Sequence, residues 1–347
     1  MILWLYFYSS GKTKDTSWWG NGIFSTEVVS IKWDIWWEKE GFFNNPKVIN
    51  LLEKNGVKLD IKKEGSITMV QNPTIWKDFL SPSTNIATEL YKASWWKLSK
   101  TDTIFYSPLV IYSWKNNIDV FEKIWLVKKD VDHYIIDLKK ITELIMKDTK
   151  ISDLWIVWDD RYLKIYSTDP TKSNSWNMFA WLIYSILWWD GANINQQILE
   201  QLWIFFDKMW FTLWSSSDIF KNFLNKWESM MMVVWYENQL IEFYNENPEY
   251  QDYIKNNIVI LYPNPTVWAE HEIISLNEKW DKLIDLLENK KEFKDIASKE
   301  HWFRIMWEIK WTVSISNIAK KITNIISLPS FKVVNDIITF LEKRNNY

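Results

Sequence analysis

The sequence predicts an α/β protein built from two lobes with a ligand cleft between them. Short apolar strands alternate with helical patterns over the first hundred residues, which is typical of a parallel sheet covered by helices. Turn residues follow several of these strands and open the next helix. The chain of 347 residues is longer than one ordinary core requires, which indicates two domains or one bilobed fold.

The elements of the first lobe follow from apolar periodicity and from Gly, Pro and Asn punctuation. The first helix, for example, places Val48, Leu51 and Leu52 on one face and closes at Asn55-Gly56. In chain order we predict a strand at 27–35, a helix at 46–55, a strand at 57–61, a helix opening at Gly65-Ser66, a helix at 82–91 and a strand at 103–106 that ends at Ser107-Pro108.

The remaining elements are helices at 118–124, 138–146, 196–209 and 218–224, and strands at 163–166, 231–234, 258–262 and 271–275. We predict a first lobe at 27–108 plus 239–310 and a second lobe at 109–238. Residues 311–347 are predicted to form a C-terminal helical extension packed on the first lobe. Its apolar stripe comprises Ile318, Ile322, Ile325 and Ile326.

The N-terminal residues 1–26 are interpreted as the remnant of a membrane anchor followed by a linker. Residues 1–8 are apolar, but a membrane-spanning helix needs about 20 such residues. They also lack the basic residues that begin a signal peptide. A first strand or a frayed end is an equal alternative.

A strand, a polar loop and a helix start follow one another between residues 163 and 187. Ser173, Asn174 and Ser175 stand where the helix needs its N-cap. The first backbone N–H groups of a helix lack intrahelical partners, and the helix dipole favours negative charge there. This stretch therefore predicts an anion-binding site, with an ordinary capped helix as the alternative.

Tryptophan and glycine usage is anomalous, with 27 Trp and only 7 Gly, whereas Gly usually makes up about 7% of residues. Many tryptophans occupy contexts typical of glycine, such as polar doublets, turns and the presumed helix ends around Trp280. We infer that most are glycines in the natural protein, encoded by UGA under an alternative genetic code. Positions predicted to be glycine include Trp36, Trp37, Trp176, Trp188, Trp189, Trp214 and Trp235.

Lysine far outnumbers arginine, and isoleucine and asparagine are abundant, as in AT-rich genes. Such a gene suits a reassigned stop codon. The alternative is a Trp-rich carbohydrate or membrane-surface binder, whose indoles would supply stacking surface. The tryptophans follow neither helical nor strand periodicity, which disfavours that alternative.

Composition also narrows the classes of function. The formal net charge is −3 without a polybasic tract, so we expect no nucleic-acid partner. There is no cysteine, which excludes disulfides, thiolate metal ligands and a cysteine nucleophile. The three histidines, His133, His271 and His301, are too dispersed to indicate a metal site. We expect neither a metal nor a cofactor.

Six segments of the chain follow a pattern seen in a known family. They are 35–42, 65–67, 105–114, 167–176, 234–239 and 260–268. Together they resemble the extracellular solute-binding proteins of ABC-type uptake systems, in the molybdate- and phosphate-like branch of the type II periplasmic-binding-protein family. The similarity spans about residues 27–304 and becomes closer when most Trp are taken as Gly. Trp114 and Trp268 resemble genuine tryptophans of that pattern.

This resemblance implies capture of a small solute, here an oxyanion such as phosphate, sulfate, molybdate or tungstate, for a membrane permease. It also implies a monomer located outside the cytoplasm, at the cell surface. The ligand-binding residues it implies are Gly65, Ser66, Ser107, Thr168, Ser173, Asn174, Ser175, Trp176, Tyr236 and Asn238. The family's lipobox cysteine is absent, and Pro82-Ser83-Thr84 replaces a paired-serine motif, so the mode of anchoring stays open.

The chemistry of these residues suits binding more than catalysis. Ser, Thr, Asn and backbone N–H groups donate hydrogen bonds to an oxyanion or to a hydroxyl-rich solute. Lys172 is either a ligand contact or a solvated flank, and Asp169 is expected to cap a turn before Pro170. An enzyme that uses Asp169, Glu237 or His271 is the alternative. No recognisable nucleophile–base spacing supports that alternative, so we expect no catalysis.

Overall fold

The computed structural model describes residues 29–35, 37–71, 76–94, 96–154, 159–167, 174–188, 194–209, 222–225, 229–305, 309 and 315–345. Within these residues, no helix has both the length and the apolar character needed to cross a membrane. The predicted N-terminal anchor and linker, residues 1–26, lie outside the described part of the chain.

Within the described residues, nine strands form the sheet structure. They are β1 (Val29–Ile35), β2 (Val57–Lys63), β3 (Phe79–Ser81), β4 (Lys100–Trp114), β5 (Val127–Lys129), β6 (Tyr134–Ile136), β7 (Met232–Tyr236), β8 (Ile258–Pro263) and β9 (Trp268–Ser275). Their order is β2-β1-β3-β9-β4-β8-β6-β5, and β7 also pairs with β4. Strands β1, β2 and β3 are parallel, although β3 was not predicted, and β9 is antiparallel to both β3 and β4. The predicted strand at 103–106 lies in β4, which pairs only in antiparallel fashion within the described residues, so its expected place in a parallel sheet was wrong.

The helices cover both sides of these strands. In the first part of the chain they are α1 (Glu40–Asn44), α2 (Pro46–Glu53), α3 (Ser66–Gln71), α4 (Asn85–Ala93), α5 (Ile118–Lys123), α6 (Leu138–Met146), α7 (Asn174–Leu187) and α8 (Gln196–Lys208). The later ones are α9 (Glu237–Glu246), α10 (Gln251–Asn257), α11 (Asp281–Asn289), α12 (Lys291–Lys299) and α13 (Phe331–Asn345). Most predicted elements occur within a few residues of these bounds.

The long strand β4 joins the two lobes. Its first half pairs with β9, and its second half pairs with β7 and β8. The prediction that this strand ends at Ser107-Pro108 was wrong. Backbone bonding continues on both sides of the proline, because Tyr106 N–H donates to Arg304 O and Leu109 N–H donates to Val267 O. Pro108, which has no N–H to donate, therefore lies where the strand exchanges one set of partners for another.

Each part of β4 faces its own apolar core. Around its first half, Trp33, Phe42 and Phe105 belong to a cluster on one face of the sheet, and Met69 and Tyr91 belong to a second cluster on the other face. A third and larger cluster surrounds the second half of β4. These separate cores agree with a two-lobed arrangement.

Strand pairing bears on where the chain crosses between lobes. Strand β8 pairs with the second half of β4 and with β6, so it shares a sheet with the second lobe. Strand β9 pairs with β3 and the first half of β4. We therefore propose that the second crossing lies at 264–267, rather than at the predicted boundary of 238/239.

The C-terminal extension differs from its prediction. It is helical only in α13, and residues 315–330 form no helix. Ile318 and Ile322 are buried in the third cluster instead of forming a helical stripe on the first lobe. These residues pair instead with the crossing segment at Thr266. Thr266 N–H donates to Asn324 O, and Ile326 N–H donates to Thr266 O. Helix α13 then packs on α7, α8 and α4.

The backbone φ angles show whether individual tryptophans adopt the left-handed conformation that favours glycine. Two of the four described non-glycine residues with positive φ are tryptophans, Trp125 at 58° and Trp302 at 60°. In contrast, Trp280 has φ −102°, so the left-handed conformation expected there was wrong. Trp176 lies in α7 and Trp235 in β7, and both have negative φ. Backbone conformation therefore gives no support for glycine at these three positions.

Candidate functional site

The first group of candidate residues lies after strands β2 and β3, where α3 and α4 begin. Ser66 Oγ accepts a hydrogen bond from Ser83 N–H at 3.0 Å and lies 3.2 Å from Ser83 Oγ. Thr84 caps α4 by accepting from Ile86 N–H at 3.3 Å. Ser66, Ser83 and Thr84 are all buried. The structure thus brings the predicted residue Ser66 together with the Pro82-Ser83-Thr84 motif.

The buried side chain of Lys39 contacts the residues that precede this group. Lys39 Nζ donates to Ser81 O, Ser81 Oγ and Pro82 O at 2.7, 2.8 and 2.6 Å. Burial lowers the pKa of Lys39 well below its usual value, against the opposing effect of Glu38 and Glu272. These three bonds fix the turn that leads into α4. The sequence analysis did not select Lys39, because a charged residue in a sequence does not reveal that it is buried.

His271 was a candidate acid or base for an enzyme. Its ring is wholly buried, and its Nε2 lies 3.9 Å from Glu38 Oε2. Burial and the nearby Lys39 hold the pKa of His271 well below its usual value, so the ring is neutral at pH 7. Neither ring nitrogen has a hydrogen-bond partner within the described residues. His271 therefore forms no nucleophile–base pair with them.

The second group of candidates lies at the crossing in β4. Ser107 Oγ donates to Asn238 Oδ1 at 2.6 Å, and both side chains are buried. The Asn238 Nδ2 group has no acceptor within the described residues. Tyr236 OH lies 3.4 Å from Met178 Sδ in α7. The structure therefore brings Ser107, Tyr236 and Asn238 together near the helix α7 that carries the third group.

The third group belongs to the loop before α7 and to its first turn. Thr168, Asp169, Lys172 and Ser173 lie outside the described residues. Asn174 begins α7, and Ser175 is buried. The Trp176 ring is also buried, 4.8 Å from the ring of Phe206. Because this indole packs in the core, only the backbone of Trp176 remains a candidate for ligand contact.

Glu237, which was also proposed as an acid or base, is held in a buried ion pair. Arg304 Nε and Nη2 donate to its carboxylate at 2.6 and 2.7 Å, and Tyr262 OH donates at 2.5 Å. Despite burial, Glu237 raises the pKa of Arg304. Burial, together with Glu237, also raises the pKa of Tyr262 well above its usual value. Glu237 therefore joins α9 to β8 and to the segment at Arg304, which is a structural role.

No group of His, Cys, Asp and Glu suited to a metal ion occurs in the described part of the chain. Gly65 precedes α3, and its carbonyl accepts from Met69 N–H at 2.8 Å. The predicted ligand residues thus form two described groups and one group that is only partly described. Whether all three meet around one ligand stays a prediction.

Comparison with known proteins identifies the class of fold. Neither a protein-family model nor a curated protein matches this sequence. Among solved structures, a periplasmic thiamin-binding protein is similar with a TM-score of 0.58 and 11% identity, over 90% of this chain and 95% of that one. Iron-bound HitA from Pseudomonas aeruginosa has a TM-score of 0.58 and 11% identity, over 91% of this chain and 99% of that one.

The sulfate-binding protein SubI from Mycobacterium tuberculosis is similar with a TM-score of 0.51 and 14% identity, over 79% of this chain and 86% of that one. The chain therefore has the two-lobed α/β fold of periplasmic and extracellular solute-binding proteins. This confirms the predicted fold class. The similar structures are named for thiamin, iron and sulfate, so the fold alone specifies no ligand.

Proposed function

We propose that this protein is an extracytoplasmic solute-binding protein that captures a small solute and delivers it to the permease of an ABC transporter. The observation that carries the proposal is the fold, shared over about nine-tenths of the chain with transport proteins. Hydrogen-bond donors at the starts of α3, α4 and α9 support it, since such groups bind small polar solutes.

We further propose that the solute is an oxyanion. Asn238 supports this, because its buried amide N–H groups have no protein acceptor within the described residues and are available to a ligand. The hydroxyl groups of Ser66 and Ser83 in the first group are further candidate donors. A desolvated anion would gain charge-assisted hydrogen bonds from such donors.

Thermal unfolding with added phosphate, sulfate, molybdate or tungstate tests the ligand class. A bound oxyanion should raise the melting temperature by mass action. Ser175→Ala should weaken binding by about 1–3 kcal/mol, the usual effect of losing a hydrogen bond to a charged ligand. Ser298→Ala is the matched control, since Ser298 is buried but bonds only to backbone within α12. A shift with sugars or amino acids and none with any oxyanion would contradict the ligand class alone.

We also propose that Trp125 and Trp302 stand at positions where the natural gene encodes glycine by UGA. At the end of α5, Leu126 N–H donates to Phe121 O and Trp125 N–H donates to Glu122 O. These two bonds define a Schellman motif with Trp125 at its left-handed residue, the position that most often carries Gly. Peptide mass spectrometry of the native protein across residues 118–129 distinguishes Gly from Trp at position 125.

The proposed location is outside the cytoplasm at the cell surface, where such a protein acts as a monomer and docks on its permease. Surface proteolysis of intact cells tests the location. Cleavage of the protein without lysis supports it, whereas protection until lysis contradicts it.

A further inference from the structure

A cavity of about 770 Å³ lies between strands β4 and β9 and the C-terminal segment 321–328. This volume suits a small organic molecule. Tyr106, Trp268 and Glu270 line the side formed by the strands. None of the predicted oxyanion residues lines the cavity, so it is a second candidate site with a chemistry of its own.

Strand register places an acidic group beside two aromatic rings. Tyr106 lies opposite Glu270, and Pro108 lies opposite Trp268. Since alternate residues of a strand share a face, Trp268 and Glu270 project to the side that carries Tyr106. The rings of Tyr106 and Trp268 lie 6.0 Å apart at 70°, in an edge-to-face arrangement. The Glu270 carboxyl is thus next to an aromatic pair.

Within the described part of the chain, no ion pair or hydrogen bond involves the Glu270 side chain, although the exposed Lys321 also lines the cavity. Burial, and to a smaller extent the repulsion of Glu272, raise the pKa of Glu270. Arg304 lies 5.9 Å from the Trp268 ring, but its guanidinium binds the carboxylate of Glu237. A half-buried carboxylate without a partner favours a cationic ligand.

The opposite side of the cavity has five apolar side chains and three polar ones. The apolar residues are Ile305, Ile322, Ile325, Ile326 and Leu328, and the polar residues are the exposed Lys321 with Thr323 and Ser327. We propose that the cavity binds an organic ammonium cation, with its charge at Glu270 and against the Tyr106 and Trp268 rings, and its carbon skeleton against these apolar side chains. Carboxylates and aromatic faces both attract ammonium groups, and the apolar wall disfavours a hydrated metal ion.

This site is independent of the proposed oxyanion site and of the proposed recoding. The two sites share no residue. Trp268 is predicted to be a genuine tryptophan and is the only tryptophan among the cavity residues of the described chain. Binding of an ammonium ligand therefore goes beyond the proposed function, and either proposal can fail while the other holds.

Isothermal titration of the full chain with choline tests the site. Its neutral analogue, in which carbon replaces the ammonium nitrogen, is the matched ligand. We expect saturable binding of choline and at least about tenfold weaker binding of the analogue, because a cation over an aromatic face and beside a carboxylate gains on the order of 1–2 kcal/mol. No choline binding at millimolar concentration, or equal binding of the analogue, overturns the proposal.

Glu270→Gln keeps the size of the side chain and removes its charge. It should weaken choline binding at least about tenfold while leaving the analogue unchanged. Glu278→Gln removes one charge from an exposed turn outside the cavity and should leave both affinities unchanged. Undiminished choline binding by the Glu270 variant overturns the assignment. A titration with phosphate in parallel reports the oxyanion site separately.

Discussion

Replacing Trp125 by glycine should stabilise this protein. Trp125 adopts φ 58° in the Schellman motif that ends α5, and its side chain is 81% exposed. A left-handed conformation costs an L-residue about 1–2 kcal/mol, while glycine loses about 0.5–1 kcal/mol more chain entropy on folding. Since the exposed indole contributes little burial, Trp125→Gly should raise the free energy of unfolding by about 0.5–1 kcal/mol.

Urea unfolding measures this change, and Trp125→Ala is the control for removal of the indole. Alanine retains the Cβ that clashes in the left-handed region, so it should give little of the gain. Trp114→Gly should instead destabilise the fold by about 3–5 kcal/mol, because Trp114 is buried and its Nε1 donates to Met230 O. Equal gains from glycine and alanine at position 125, or a loss with glycine, would refute the conformational argument.

Three other substitutions test specific contacts. Gly41→Ala should destabilise the fold by about 1 kcal/mol, because a Cβ there would lie 2.5 Å from Glu242 Oε1 and would displace this flexible carboxylate from His301 Nδ1. Most of this loss should disappear in a Glu242→Ala background. Arg304→Met should lower the free energy of unfolding by about 3–5 kcal/mol, because the Glu237 carboxylate stays buried without its partner. A loss below about 1 kcal/mol in urea unfolding, which is the value of a surface ion pair, would contradict this. Glu270→Gln should stabilise the unliganded protein at pH 7, and unfolding measured from pH 7 to pH 4 should show the gain shrinking.

The sign of that pH dependence follows from linkage. Burial and Glu272 raise the pKa of Glu270 in the folded state. The folded protein therefore binds a proton at a pH where the unfolded chain has lost it, so stability falls as pH rises through the folded-state pKa. Glutamine does not titrate, and its advantage should vanish below the unfolded pKa. If the stabilisation by Glu270→Gln grew toward pH 4, the claim that the Glu270 carboxylate is unpaired would be contradicted.

Most elements could be predicted because their signals are local. Helix α6 has the predicted bounds, since an apolar stripe and the capping residue Asp137 agree there. Parallel pairing of β1 and β2 followed from strand–helix alternation. Strand β3 was not predicted, and the predicted third strand, which lies in β4, pairs in antiparallel fashion. The extension at 315–330 could not be predicted, because its isoleucines suit both a helix and an extended segment. Pairing with Thr266, which is distant in sequence, decides between them.

The candidate site was predictable in part. Ser66 and Asn238 lie at helix starts that follow strands β2 and β7, where turn residues in the sequence are informative. Ser107 was selected because the strand was expected to end there, whereas it lies within β4 and bonds to Asn238. Lys39 and the Glu237–Arg304 pair were missed, because a charged residue in sequence does not reveal that it is buried. For the same reason, Glu237 looked available for catalysis before its ion pair was seen. Positive φ at Trp125 required the backbone itself.

Small-angle X-ray scattering during a ligand titration tests the proposed function most directly. A two-lobed solute-binding protein closes around its ligand, so the radius of gyration should fall with saturation at the affinity measured by calorimetry. The ligand should be recovered chemically unchanged. No change with a bound oxyanion, or conversion of the bound compound into a product, would contradict the proposal that this protein captures a solute for transport.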